Sequence, residues 1–176
     1  MKCPSCSSSS LKPIKLQSSL PARKCLKCNG VLIDLLSYRE WAEIYKHKKD
    51  TNTPQLKEVE DSSNAKVCPK CSKIMLKFRI DGSTSNKVDV CTNCDEAWLD
   101  EGEWELLGSL EIQHKLNSIF TEPWQRNIRE EDAQKSHEER FKEILGSEQY
   151  QKLSDVKEWI INHPKKDDLI RYILKQ

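Results

Sequence analysis

Apolar residues in the first two thirds of the chain occur in short runs that are typical of β-strands. Residues 74–80 and 87–91 form two such runs, and Asp81-Gly82 between them is a turn signal. Residues 11–17 and 22–25 form an earlier and less regular pair. Each pair predicts a two-stranded hairpin, so the pattern predicts the same small unit twice.

An apolar triplet and a helix start follow each predicted hairpin. The triplets are Val31-Leu32-Ile33 and Ala97-Trp98-Leu99. Ser37-Tyr38-Arg39-Glu40 has the form of a capping box and predicts a short helix that ends near Tyr45. Asp100-Glu101-Gly102-Glu103 can cap a second helix in the same way. The two units align over these positions without gaps, which indicates an internal repeat of whole units.

From Ser109 onward the apolar residues change to helical spacing. Thr121-Glu122-Pro123 begins a long segment that reaches Leu145 and has an almost wholly polar middle. Such a pattern is typical of a helix that stands partly free in solvent. Gly146 is placed to end this helix, and two further helices on either side of His163-Pro164 are expected to pack as a hairpin.

All eight cysteines stand in C-x2-C pairs, and within each repeat the two pairs are 18 or 19 residues apart. A C-x2-C turn directs two thiolates at one ion, and tetrahedral zinc takes two such turns. The spacing leaves room for the hairpin that brings the turns together. We predict two structural zinc ions per chain, one held by Cys3, Cys6, Cys25 and Cys28 and one by Cys68, Cys71, Cys91 and Cys94.

Two alternatives compete with zinc. The cysteines could form the disulfide framework of a secreted domain, but the chain begins Met1-Lys2-Cys3 without the apolar run of a secretory signal. Four thiolates also hold iron in rubredoxin-like electron carriers, and the spacing fits both metals.

The composition favours several small units over one large core. Only 36% of the 176 residues are hydrophobic and 32% are charged, and each cysteine unit is near the size at which a domain needs a metal to hold its fold. We predict a small metal-stabilised α+β protein with two tandem zinc ribbons, each a β-hairpin plus a short helix. The predicted parts are ribbon 1 at 1–48, a polar linker at 49–66, ribbon 2 at 67–108 and an α-helical region at 109–176.

The location in the cell is predicted from the same features. No stretch approaches the length of an apolar membrane span. Thiols stay reduced and available to zinc in the cytoplasm. A soluble cytoplasmic protein is therefore expected.

The residues of ribbon 2 resemble the transcription factor IIB (TFIIB) type of zinc ribbon, which is found in many small bacterial proteins. The matching positions are Cys68, Pro69, Cys71, Cys91, Cys94, Trp98, Leu99, Asp100, Gly102 and Glu103, whereas Glu96 replaces the usual glycine. Ribbon 1 matches at Cys3, Pro4, Cys6, Cys25, Cys28, Gly30 and Asp34 but has Leu32 in place of the tryptophan. The resemblance implies a zinc-bound ribbon, and the fold alone does not settle a role in transcription.

The net charge of +1 is unevenly distributed. Residues 1–49 contain ten Lys/Arg against three acidic residues, and residues 50–108 contain seven against twelve. Ribbon 1 is therefore basic and ribbon 2 acidic. Phosphate contacts would come from Lys12, Lys15, Arg23, Lys24 and Lys27. The alternative is that these side chains form an ordinary solvated surface.

The main functional hypothesis is a non-enzymatic zinc-binding adaptor that docks on a protein partner, in gene expression or a ribosomal assembly. Its contact residues would be Trp98, Trp104 and the helical region, although both tryptophans could instead form core. RNA or DNA binding by ribbon 1 is the alternative. We expect no catalysis and no small-molecule substrate, because four cysteines close the zinc shell and no histidine cluster resembles a hydrolytic site.

Overall fold

The computed structural model describes residues 1–7, 11–45 and 64–175. Most of the linker predicted at 49–66 therefore lies outside the described residues. The chain divides into two compact units, Met1–Arg129 and Glu130–Gln176. The first unit contains both cysteine repeats, so the two predicted ribbons are parts of one compact unit.

One antiparallel sheet of six strands runs through the first unit. Its strands are β1 (Lys12–Lys15), β2 (Pro21–Lys24), β3 (Val31–Asp34), β4 (Leu76–Arg79), β5 (Lys87–Cys91) and β6 (Glu96–Leu99). Their order across the sheet is β1-β2-β3-β6-β5-β4. Each ribbon supplies three neighbouring strands, and the two halves join through β3 and β6. The predicted fold class, two four-cysteine ribbons with a helical C-terminal region, is confirmed.

The joint between the ribbons has local two-fold symmetry. The paired residues are Val31 with Leu99, Leu32 with Trp98, Ile33 with Ala97 and Asp34 with Glu96. Because the repeat also aligns Leu32 with Trp98, equivalent strands pair about an axis between these two residues. This is the arrangement of a symmetric dimer interface, formed here within one chain.

The two faces of the sheet bury different kinds of residue, since successive side chains of a strand point to opposite sides. One face packs against the helices of the first unit, which are α1 (Leu35–Tyr45), α2 (Glu103–Ser109), α3 (Leu116–Ile119) and the start of α4 (Glu122–Leu145). Ile33, Leu99, Tyr38, Leu107 and Leu116 are among the buried residues of this core. The other face carries the cysteines, with Leu32 and Trp98 at its centre.

Helix α1 begins earlier than the capping box at Ser37 predicts. Its first residue is Leu35, and the Oδ1 atom of Asp34 accepts a hydrogen bond from the Ser37 backbone N–H at 2.9 Å. Asp34 therefore caps the helix, as aspartate commonly does. At the start of α2 the N-cap residue is Gly102, and no side chain caps the helix. The Glu103 carboxylate accepts the backbone N–H of Asp100 at 2.8 Å, so the predicted segment does precede α2 but the predicted aspartate cap is not formed.

The second unit contains the rest of α4, then α5 (Ser147–Ile161) and α6 (Lys166–Leu174). Gly146 has φ +76° between α4 and α5, which confirms its predicted role in ending α4. Helices α5 and α6 pack against each other as the predicted hairpin. Within the described ranges, every helix is too short or too polar to cross a membrane.

Candidate metal centre

Four short turns of similar conformation carry the eight cysteines. The residue after the second cysteine of each turn has a positive φ, which is 53° at Ser7, 54° at Asn29, 60° at Ser72 and 56° at Asp95. The backbone N–H of Ser7 donates to the carbonyl of Cys3 at 3.0 Å. Ser72 and Asp95 make the same bond to Cys68 and Cys91, each at 2.9 Å. These bonds close three of the four turns around their pairs of sulfurs, and the turn at Cys25 is closed by its own N–H, which donates to the carbonyl of Gly30 at 2.9 Å.

The sulfur atoms of each tetrad converge on one point. All four Sγ atoms within a tetrad lie within 4.8 Å of one another. The Sγ atoms of Cys3 and Cys28 are 3.4 Å apart, and those of Cys71 and Cys91 are 3.5 Å apart. Zinc at about 2.3 Å from each sulfur gives a tetrahedron with edges of about 3.8 Å. Both tetrads are thus arranged to bind zinc.

The state of the cysteines excludes the disulfide alternative. All eight lie in the described part of the chain and are free thiols, so they form no disulfide framework. In each tetrad the first cysteine of each turn is buried and the second is half-buried. Four thiolates fill the shell of a structural zinc and leave no position for a substrate.

Thiols this enclosed favour the protonated form when no metal is bound. Burial raises the pKa of Cys68 to about 12 and also raises the pKa of Cys28. The backbone N–H of Lys73 instead lowers the pKa of Cys71 to about 7. Bound zinc supplies the positive charge that keeps such sulfurs ionised in a buried place.

Trp98 and Trp104 lie in the interior, which corrects the expectation that they are exposed for docking. The Trp98 side chain is fully buried between the two tetrads, and its Nε1 donates to Oδ1 of Asp100 at 2.9 Å. Trp104 is 4% exposed and packs against Trp41 on the helical face with ring centroids 5.7 Å apart. Both rings are part of the buried core, as the alternative interpretation of the sequence predicted.

The basic residues of ribbon 1 lie at one edge of the sheet. Lys12, Lys15 and Lys27 are exposed, whereas Arg23 and Lys24 are half-buried. Lys12 and Lys24 are direct cross-strand neighbours in the β1–β2 hairpin. The acidic ribbon contributes β4 and β5 at the opposite edge, so its hairpin does not cover the basic one.

A buried ion network that the sequence pattern does not predict lies on the cysteine face. Lys66, which the sequence pattern assigned to the polar linker, is 1% exposed. Its Nζ donates to Oδ2 of Asp89 at 2.7 Å and to Oδ2 of Asp100 at 2.8 Å. The available signal was its position two residues before Cys68, next to the first turn of ribbon 2.

The network favours the charged forms of Lys66 and Asp100, whereas burial opposes the charged form of Asp89. Burial alone would lower the pKa of Lys66, but the hydrogen bonds that Lys66 donates to Asp100 and Asp89 outweigh burial and raise it. Burial raises the pKa of Asp100, but the hydrogen bonds that its carboxylate accepts from Lys66 and Trp98 lower the pKa by more. The pKa of Asp100 is therefore below its usual value. Burial raises the pKa of Asp89, the more enclosed of the two carboxylates.

Two four-cysteine sites on joined β-hairpins are the arrangement of zinc ribbons. Residues 2–44 match the family model of the TFIIB-type zinc ribbon, described as transcription factor zinc-finger. The match falls on ribbon 1, although the resemblance seen in the sequence extends over more positions of ribbon 2. Ribbon 2 is assigned by the geometry of its cysteines. Neither a curated protein nor a solved structure gave a significant match to the chain.

Proposed function

We propose that the chain is a non-enzymatic zinc-binding adaptor, in which the zinc ribbons are a scaffold and the second unit docks on a protein partner. Gene expression is the setting that the matched family suggests, and the cytoplasm is the compartment that reduced thiols favour. The absence of catalysis is part of the proposal, because closed thiolate shells leave zinc no open position.

The observation that carries the proposal is the exposed apolar face of α5 and α6. Leu153, Val156 and Trp159 recur at helical spacing along α5, and Trp159 is 56% exposed. Tyr172 and Ile173 on α6 are 81% and 58% exposed. Exposed large apolar residues mark interaction surfaces in soluble proteins when they form one patch, and Trp and Tyr are enriched where binding energy is concentrated. This face replaces Trp98 and Trp104 as the docking candidate.

A charge placed on this face tests the proposal. The tagged full chain captures partners from its own cell extract, in parallel with Ile173→Asp and with Gln149→Asp, which puts the same charge on an exposed polar position of α5. We expect one stoichiometric protein to be retained by the parent chain and by Gln149→Asp, and to be lost from Ile173→Asp. Sedimentation of the purified chain shows whether that protein is a second copy. A capture pattern unchanged by Ile173→Asp contradicts docking through this face.

Nucleic-acid binding by ribbon 1 is the second candidate, and the edge position of the β1–β2 hairpin favours it. Among the described residues, no ion pair or hydrogen bond occupies the side chains of Lys12, Lys15 and Lys27. The positive charges of these residues are therefore accessible to phosphates, whose binding releases counterions and is steeply salt-dependent.

The test uses the full chain, since ribbon 1 shares its sheet with ribbon 2. Affinity for single-stranded RNA and for duplex DNA is measured at several salt concentrations. If the three lysines contact phosphates, their combined change to Gln reduces the slope of log K against log salt by about 2 to 3. A triple change of Lys152, Lys157 and Lys165 to Gln is the matched control. Equal slopes in all three proteins would end this candidate.

A further inference from the structure

Ribbon 2 reaches into site 1 through Trp98. The indole lies against Gly30, where an added Cβ would be 2.3 Å from Cζ2 and 2.9 Å from Cε2 of the ring. The carbonyl of Gly30 accepts the backbone N–H of Cys25 at 2.9 Å. The residue that closes the second turn of site 1 is therefore held in place by a side chain of the other ribbon.

The fit across the joint is asymmetric, although the strands are related by two-fold symmetry. Ribbon 1 has Gly30 and Leu32, whereas ribbon 2 has Glu96 and Trp98 at the equivalent positions. The large ring of one ribbon thus meets the glycine of the other. Glu96 is buried and forms an ion pair with Lys70. The two ribbons are complementary to each other and not merely copies.

A hydrogen-bond network makes a second connection. Ser5, which lies between Cys3 and Cys6, donates from its hydroxyl to Oδ1 of Asp100 at 2.8 Å. The same oxygen accepts the Trp98 Nε1–H, and the other oxygen of Asp100 binds Lys66, two residues before Cys68. One carboxylate of ribbon 2 therefore connects the first turn of site 1 with the first turn of site 2.

Ribbon 1 holds the last turn of site 2 in return. Asp95 directly follows Cys94, and its carboxylate accepts two hydrogen bonds from the Arg39 guanidinium at 2.6 and 2.9 Å. Its carbonyl accepts the backbone N–H of Leu35, the first residue of α1, at 2.9 Å. Each site is therefore shaped partly by residues of the other ribbon.

We propose that the two four-cysteine sites are thermodynamically coupled, so that metal at one raises the affinity of the other, with Trp98 and Asp100 as positioning residues for site 1. Zinc at one site orders turns that contact the other site, and this ordering is then already present when the second ion binds. Coupling between sites is typically worth a factor of about 5 to 150 in affinity, and it is reciprocal.

The coupling is measured in the full chain with one site disabled. Cys94→Ser removes a half-buried ligand of site 2, and Cys28→Ser removes the equivalent ligand of site 1. Zinc affinity of the intact site is obtained by competition with a chromophoric chelator, and Co²⁺ absorption reports whether that site stays tetrahedral. We expect each intact site to bind at least about five-fold more weakly than in the parent chain. Affinities within two-fold of the parent value at both sites would overturn the proposal.

Two further comparisons separate the joint from a general loss of stability. Trp98→Leu, which gives ribbon 2 the residue of ribbon 1, is expected to lower the coupling factor towards one. Trp104→Leu truncates a buried tryptophan on the opposite face and is expected to leave the factor unchanged. Equal effects of the two changes would overturn the role of Trp98.

Ser5→Ala provides a milder test in case Trp98→Leu fails to fold. Its matched control is Thr92→Ala, which removes an exposed hydroxyl from inside a C-x2-C turn of site 2. We expect Ser5→Ala to weaken zinc binding at site 2 at least two-fold, and Thr92→Ala to leave site 1 unchanged. If the zinc affinity of site 2 is unchanged in Ser5→Ala, Asp100 does not couple the two sites.

Discussion

At the residue scale, Lys66 shows how strongly a single buried charge constrains the cysteine face. Its side chain is 2% exposed and its partners Asp89 and Asp100 are 1% and 12% exposed. Water cannot replace the ammonium at this place, because almost none reaches the two carboxylates. Lys77 also pairs with Asp89 at 3.2 Å but is 20% exposed, so Lys66 is the buried cation that both carboxylates share.

Lys66→Met removes the cation shared by both buried carboxylates and leaves Asp89 with Lys77 alone, whose Nζ is 3.2 Å from Oδ2. We expect a loss of about 3–5 kcal/mol in the free energy of unfolding, since removal of one partner from a buried ion pair costs that much. Urea denaturation of the zinc-loaded chain measures it. Lys152→Met is the control, because the ion pair of Lys152 with Glu148 is exposed, and it should cost less than about 1 kcal/mol. Similar losses in both variants would contradict the buried network.

At the scale of the element, the start of α1 depends on Asp34 and not on the serine of the apparent capping box. The Asp34 carboxylate accepts the Ser37 N–H, and the same hydrogen bond is the main reason that its pKa is lowered. Asp34 is also the last residue of β3. Strand and helix therefore meet at one residue without a loop.

Asp34→Ala should destabilise the chain by about 1 kcal/mol, because the first turn of α1 loses its cap. Asp34→Asn keeps an oxygen that accepts the same N–H and removes only the charge, so it should retain most of the stability. Ser37→Ala should have less effect than Asp34→Ala. Thermal denaturation of the three variants measures these differences, and a larger loss in Ser37→Ala would restore the capping box as the determinant.

At the scale of the whole molecule, the two compact units should respond differently to loss of metal. All eight cysteines lie in Met1–Arg129, and residues 130–176 contain none. Zinc in small fingers contributes about 10–16 kcal/mol at neutral pH, which is comparable to the full stability of a typical domain. The helical core of the first unit is therefore not expected to hold the cysteine face together without metal.

Chelation by excess EDTA should unfold the first unit and leave the helical signal of the second. Amide spectra of the labelled full chain can follow both units at once. We expect amides from β1 to β6 to lose dispersion while those of α5 and α6 keep their positions. Elemental analysis before chelation should give two zinc ions per chain, whereas visible absorbance with bound iron would indicate the rubredoxin-like alternative. A metal-free chain with unchanged amide spectra would contradict a structural role for zinc.

The metal ligands, the hairpins and the helices were predictable because each depends on local chemistry. A C-x2-C turn, a turn signal at Asp81-Gly82 or a stop at Gly146 acts within a few residues, so the sequence alone carries it. The repeat also showed that the ribbons are equivalent. It contained no signal that β3 and β6 pair, because the paired residues are 62 to 68 positions apart in the chain.

Only the tertiary structure decided which side chains are enclosed where β3 pairs with β6. By itself the sequence determined two tetrads of thiolates, a basic and an acidic ribbon and an amphipathic helical end. The pairing of β3 with β6 then buried Trp98 against Gly30 and enclosed Lys66 with two carboxylates. Exposure depends on contacts between residues far apart in the chain, and for this reason the tryptophans that looked available for docking became core. Among the described residues, the large apolar side chains that stay exposed include those of α5 and α6.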